Sequence, residues 1–235
     1  MFQSIKIKSC TFCILFIASS SQASVTLGST RLIYHGGDES INLDVSNHDK
    51  TPYLLQSWMD CTSDPNSKMK PSEKMPFVVT PPLFRINSDD NNQINIVKTS
   101  GALPEDRETV YYLNVKAIPG KPDSSANTLM IAVKNTLKVF YRPKSLSDEG
   151  AQKSYNQLSF SQNAGQLTVS NPSPYYVTFF SFSGDDKSIE LKDHQMLSPF
   201  SSAIYPIKSS HVHRVKWKVV GDLSQISEEQ TKVLP

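Results

Sequence analysis

The sequence is poor in cysteine and in net charge, carries no recognisable catalytic signature, and has no apolar run long enough to cross a bilayer as a helix. Of its 3 cysteines, Cys10 and Cys13 fall inside an N-terminal segment that reads as an export signal. Lys6 and Lys8 form its basic start, Cys10 to Ala18 its apolar stretch, and Ser21 and Ala23 occupy the small-residue positions of a cleavage site before Ser24. Residues 1–23 are therefore expected to be a removable signal peptide, with no lipid-attachment context at either cysteine. What remains holds Cys61 alone, which excludes an intramolecular disulfide and, with no histidine marked beside it, gives no reason to read a nucleophile. Cys61 is read as a half-buried strand or loop residue.

The charge excess is equally superficial. The chain has 24 Lys and Arg against 22 Asp and Glu, and the signal segment contains two lysines and no acid, so the mature chain is formally neutral. The balance holds locally, with 14 basic against 13 acidic residues over 24–145, and 8 against 9 over 146–235. Such a surface lacks the basic footprint of a nucleic-acid or anionic-membrane binder. A G-x-S-x-G elbow, a phosphate-binding loop, a G-x-G-x-x-G turn and an H-E-x-x-H pair are all missing. His211-x-His213 is the one tight histidine pair; on a strand both would share a face, but no third ligand lies near in sequence, so they are read as exposed strand residues. Asp89-Asp90 and Asp185-Asp186 lack calcium-loop spacing and read as solvated turns. The expectation is a protein without enzyme activity, cofactor or metal.

What the sequence does have is apolar alternation with a period of two. Ile41-Asn42-Leu43-Asp44-Val45 alternates strictly, and similar runs occur at Arg31–Tyr34, Tyr53–Met59, Phe77–Val79, Leu83–Ile86, Ile94–Val97 and Val110–Val115. Gly36-Gly37-Asp38, Asn47-His48-Asp49, Pro81-Pro82, Asp89–Asn92 and Pro119-Gly120 punctuate them. About seven strands so spaced describe an immunoglobulin-like sandwich. After the polar, proline-bearing stretch 142–148 a second series begins: Leu158–Phe160, Leu167–Val169, Tyr176–Phe180, Ile189–Leu191, Ala203–Tyr205 and Val212–Val220. The fold class is all-β, with two sandwich domains in tandem at 24–145 and 146–235.

Asn127 to Pro143, NTLMIAVKNTLKVFYRP, is long for one strand. Leu129, Ile131 and Val133 share a face, to which Leu137 returns. That face either packs into its own core or stays open to pair with a partner strand. Together with TRLIY (Thr30–Tyr34), PFVVTPPLFRI (Pro76–Ile86), LPEDRETVYYLNVKAIP (Leu103–Pro119) and LTVSNPSPYYVTF (Leu167–Phe179), this segment resembles the periplasmic pilus and fimbrial chaperones of the chaperone–usher pathway.

The resemblance implies two immunoglobulin-like domains set in an L, in the periplasm, that bind pilin subunits by donor-strand complementation and pass them to an outer-membrane usher. The donated side chains would be Leu129, Ile131 and Val133. Arg31 and Lys138 would hold the subunit's terminal carboxylate, and Glu108, Arg142 and Asp222 would form an ionic network between the domains. Lys138 has the opposite parity to the donated trio, so it faces away from them unless a bulge intervenes near Asn135-Thr136. The short segment 120–126 before the donor strand resembles the short-loop branch of the family. Pairing of the exposed edges of the donor strand and the first strand between free copies would protect both. A secreted tandem-domain pilin or adhesin is the alternative; it would carry an N-terminal alternating extension, whereas TRLIY follows the cleavage site almost at once.

Overall fold

The computed structural model describes residues 24–61, 75–99, 101–121, 129–191, 195–209 and 211–235. The expected signal peptide and most of the short loop at 120–126 lie outside them. The first half contains β1 (Val25–Leu27), β2 (Arg31–His35), β3 (Ser40–Asn47), β4 (Tyr53–Asp60), β5 (Phe77–Thr80), β6 (Leu83–Ile86), β7 (Asn91–Lys98), β8 (Thr109–Pro119) and β9 (Val133–Arg142). One sheet runs β1-β3-β7-β5 and the facing sheet runs β2-β9-β8-β4-β6. The alternation in the sequence decides which side chains meet between them. In β3, Leu43 and Val45 are buried while Asp44 is exposed; β7 contributes Ile94 and Ile96, and the opposite sheet Tyr34, Leu55, Leu113 and Val139. Each such aliphatic contributes about 1.5–3 kcal/mol by leaving water.

The chain changes sheets near its start. β1 pairs antiparallel with β3, whereas β2 pairs in parallel with β9 in the facing sheet. That crossing places Arg31 directly opposite Lys138, and His35 opposite Arg142.

The second half opens with α1 (Asp148–Lys153) and a 3-10 turn (Ser154–Gln157). It continues with β10 (Ser159–Asn163), β11 (Gln166–Asn171), β12 (Val177–Gly184), β13 (Lys187–Ser188), β14 (Met196–Leu197), β15 (Ser201–Pro206), β16 (Arg214–Val219) and β17 (Gln230–Val233). A β10-β11-β15 sheet packs on the sheet containing β13-β12-β16-β17 around Leu167, Phe179, Phe182, Tyr205, Val215 and Trp217. The fold is thus two β-sandwiches with separate cores.

Three local expectations are corrected. The strand expected from Asn127 begins at Val133. Val133 pairs with Ala117, so continuing the ladder would set Ile131 opposite Pro119, which has no N–H to offer. His211 and His213 lie before β16 rather than on it, with their rings 4.7 Å apart. Finally, a helix interrupts what reads as a linker: Ser147 caps it by accepting the Gly150 N–H at 3.0 Å, and Asp148 and Glu149 occupy its first turn, where the helix dipole favours acids.

Tyr175 fastens this helix to the second sandwich. Its hydroxyl donates to the Ser147 carbonyl at 2.9 Å and accepts the Ser147 N–H at 3.0 Å. A Cβ on Gly150 would lie 2.2 Å from that oxygen. Gly150→Ala should therefore cost about 1–3 kcal/mol despite the higher helix propensity of alanine. Thermal unfolding checks it, and Tyr175→Phe in the same chain should recover part of the loss.

Candidate functional site

The outer face of the β2-β9-β8 sheet turns toward the second domain, and β9 supplies its chemistry through alternate residues. Odd positions Leu137, Val139 and Tyr141 enter the first core, and even positions Lys138, Phe140 and Arg142 face outward. Pairing of β9 with β8 is regular from Val133 to Tyr141, so no bulge interrupts this parity at Asn135-Thr136.

Arg142 joins the domains. Its side chain is 1% exposed, and its Nε and Nη2 each donate to Glu108 Oε1 at 2.8 Å. Nη1 donates to Asp222 Oδ2 at 2.9 Å and Asp148 Oδ1 at 2.5 Å. Glu108, 3% exposed, uses Oε2 to accept the Tyr176 N–H at 2.8 Å, and its own N–H donates to the Pro174 carbonyl at 2.9 Å. Three carboxylates from three separate stretches of chain thus converge on one guanidinium. Burial opposes the charge of Arg142, but the Asp222 hydrogen bond and the charges of Glu108 and Asp222 outweigh it and hold its pKa above the ordinary value. Burial pushes Glu108 upward in spite of the opposing pull of Arg142.

Glu108, Arg142 and Asp222 are the trio expected from the sequence, and the structure brings them together. Asp148 and His35 join the same cluster without having been anticipated. His35 Nε2 lies 2.9 Å from Asp148 Oδ1, and hydrogen bonds from His35 and Arg142 draw the Asp148 carboxyl below its usual range. The signal for Asp148 was its place after a capping serine; His35 has none in one dimension, because only the parallel register sets it opposite Arg142.

Arg31 and Lys138 are adjacent in the parallel ladder and half-buried. Burial lowers the pKa of Lys138, and the Arg31 charge lowers it further. Burial lowers Arg31 as well, with the Asp222 charge as a partial counterweight. Arg31 Nη1 donates to the Val220 carbonyl at 3.0 Å, while its Nε is shut off from water without an acceptor. Two partly dehydrated cations side by side make a seat for an anion.

Leu129, Ile131 and Val133 lie together at the opposite end of the same segment, 84%, 65% and 52% exposed. Only Val133 belongs to the strand. Among the described residues no group of three or more His, Cys, Asp or Glu could hold a metal ion, and no helix is long and apolar enough to cross a membrane.

The geometry coincides with what comparison with known proteins finds. Residues 24–147 match the model of the pili and flagellar-assembly chaperone PapD N-terminal domain, and residues 153–231 match that of the pili assembly chaperone PapD C-terminal domain. The chain belongs to the pilus-assembly chaperone family. It is 38% identical over 222 residues to the probable fimbrial chaperone LpfB of Escherichia coli O157:H7, covering 93% of this chain and 92% of that one. Among solved structures, it resembles the SafB chaperone in complex with the SafA pilin of Salmonella enterica, with 30% identity, a TM-score of 0.76, and 92% and 99% of the two chains covered. The chaperone DraB of E. coli is similar at 30% identity and a TM-score of 0.74, over 90% and 98% of the two chains. As members of this family are pilus chaperones, the match on both domains favours that class over a tandem-domain pilin or adhesin.

Two outcomes are expected of the interdomain cluster. Arg142→Met would leave Glu108 buried without its cation and should cost about 3–5 kcal/mol, measured by denaturant unfolding. Because the folded-state pKa of Asp148 lies below its unfolded value, its stabilisation is present above the ordinary carboxylate range and is lost as pH falls through the folded value. Asp148→Asn should therefore flatten the acid limb of a stability-against-pH curve and leave the neutral limb nearly parallel to that of the parent.

Proposed function

We propose that the protein is a periplasmic chaperone that captures pilin subunits by lending them β9 and delivers them to an outer-membrane usher. The observation that carries this reading is the alignment of the Arg31–Lys138 pair with an open strand edge. β2 covers β9 only from Lys138 to Arg142. From Val133 to Leu137 the same edge of β9 has no ladder partner among the described residues, and its backbone N–H and C=O groups stand ready for another strand.

The direction of that strand follows from the anchor. A chain end whose carboxylate sits on Arg31 and Lys138, and whose body extends along the open edge toward Leu129, runs parallel to β9. Its carboxylate receives charge-assisted hydrogen bonds at about 1.5–3 kcal/mol each. Leu129, Ile131 and Val133 then enter the groove of the incomplete subunit, each contributing about 1.5–3 kcal/mol when fully buried. The opposite parity of Lys138 separates the tasks: the anchor faces the interdomain cleft and the donated trio faces the subunit. The segments would serve as a leader at 1–23, a subunit-binding domain at 24–145 and a second domain at 146–235, whose orientation the Glu108–Arg142–Asp222 cluster holds. In the absence of a subunit, the free edges of β9 and β2 would pair between two copies.

A competing effect makes the anchor testable without assuming a particular subunit. Burial, and after it the neighbouring Arg31 charge, disfavours the charged lysine in the free protein, so the folded-state pKa of Lys138 lies below its unfolded value and the charged lysine costs stability below its ordinary pKa. Lys138→Met should relieve about 1 kcal/mol, raising the melting temperature by roughly 2–4 °C. The same substitution should weaken binding of a peptide from the C-terminus of a co-encoded pilin about tenfold or more, and amidating that peptide should weaken wild-type binding to a similar degree. Undiminished binding in both experiments would overturn the anchor.

A further inference from the structure

Beyond the cations, the interdomain cleft continues into a hollow of about 310 Å³ that the ionic network leaves unfilled. Arg31 stands at its boundary, and Phe140, Tyr176, Val177 and Val219 form an apolar side. Phe140 is two residues beyond Lys138 on the same outward face of β9, and its ring lies 5.5 Å from that of Tyr176 at an interplanar angle of 55°. The Arg31 guanidinium carbon sits 5.8 Å from the Phe140 ring centre. The charged groups on the hollow's floor, Glu108, Arg142 and Asp222, are committed to one another. One side of the space next to the anion seat is therefore walled by aromatic and branched side chains, while Gln152, Ser154, Thr178, Gln225 and Ser227 line much of the rest. The carboxylates of Glu108 and Asp222 are already engaged by Arg142.

We propose that this hollow selects the side chain of the subunit's C-terminal residue and prefers a large apolar, above all aromatic, one. The inference rests on the carboxylate reading of Arg31 and Lys138. A carboxylate on those two nitrogens puts the terminal Cα one bond from the seat, and the side chain leaving that Cα has the Phe140–Tyr176 wall within reach. An aromatic ring there joins an existing tilted pair and displaces water from a volume suited to a single side chain. Glycine at that position leaves the hollow wet and gains only the charge-assisted bonds. Phe140 and Tyr176 act as specificity residues, and the cations supply an anchor common to every chain end.

The test uses three small probes titrated into the isotopically labelled full protein and followed by amide NMR: N-acetylphenylalanine, N-acetylglycine and N-acetylphenylalaninamide. N-acetylphenylalanine should bind about tenfold more tightly than N-acetylglycine, with the largest shifts at the amides of Tyr176 and Val220. The amide probe should bind far more weakly than its acid. Ala151 also lines the hollow, and Ala151→Trp should abolish the preference for phenylalanine while leaving N-acetylglycine affinity in place. Gln152→Ala, at an exposed lining position, should keep the preference and serves as a folded control. Equal affinity for the two acids, with the amide still rejected, would overturn the pocket and leave the anchor standing. Equal binding of acid and amide would overturn the anchor, and the pocket with it. An absence of shifts at Tyr176 and Val220 under saturating N-acetylphenylalanine would also overturn the pocket, with the pilin peptide comparison still judging the anchor on its own.

Discussion

The buried guanidinium of Arg142 is the contact on which the arrangement of the molecule depends. It ends the strand that carries Lys138 and Val133, and it gathers carboxylates from the residue before β8, from the helix that opens the second half and from the loop after β16. Removing two or more charges from water is expensive, and such a cluster adds little net stability over a well-packed apolar substitute. Its geometric demand is strict, however. Glu108 must face β9 and reach the Tyr176 amide together, and Asp222 must approach from the second domain. The relation between the domains seen in the structure meets these conditions and leaves a cleft beside Arg31.

Both ends of the same segment carry features that cost stability in the free protein. At one end two half-buried cations sit side by side, and among the described residues no carboxylate bridges them. At the other, three aliphatic side chains lie in water although their parity matches that of core residues. Either feature alone is tolerable on a neutral surface. With a free ladder edge between them among the described residues, they fit the proposed ligand by its parts: a carboxylate, an extended backbone and an apolar groove. The charge that matters to the proposed function is local, so a chain with balanced charge over residues 24–235 can still offer a seat for an anion.

Much of this could be read from the residues in order. Strict alternation in Ile41–Val45 and its counterparts dictates strands with one buried face, and Pro81-Pro82 and Pro119 mark where ladders stop, because proline has no N–H to donate. The proposed donor strand marks the boundary of such reading. Apolar periodicity continues back to Leu129, but Pro119 on the neighbouring strand ends the pairing at Val133, and that neighbour is remote in sequence. The helix at Asp148–Lys153 was hidden for a different reason: it is one and a half turns long, too short for a period to emerge, and its cap at Ser147 resembles any polar linker. The histidine pair misled in the reverse sense, since alternation at His211–His213 carried the expected strand past its start at Arg214.

The sequence by itself determined which residues could form strands, which faces those strands would bury, and that charge over residues 24–235 was balanced, because each of these can be read along the chain. Tertiary structure alone decided that Arg31 would meet Lys138, that His35 and Asp148 would join the guanidinium of Arg142, and that a hollow would open beside Phe140. These are relations between strands and domains far apart in sequence. They arise from a parallel register and a buried ionic contact, neither of which leaves a local period, so the proposed binding site exists only once the chain has closed on itself.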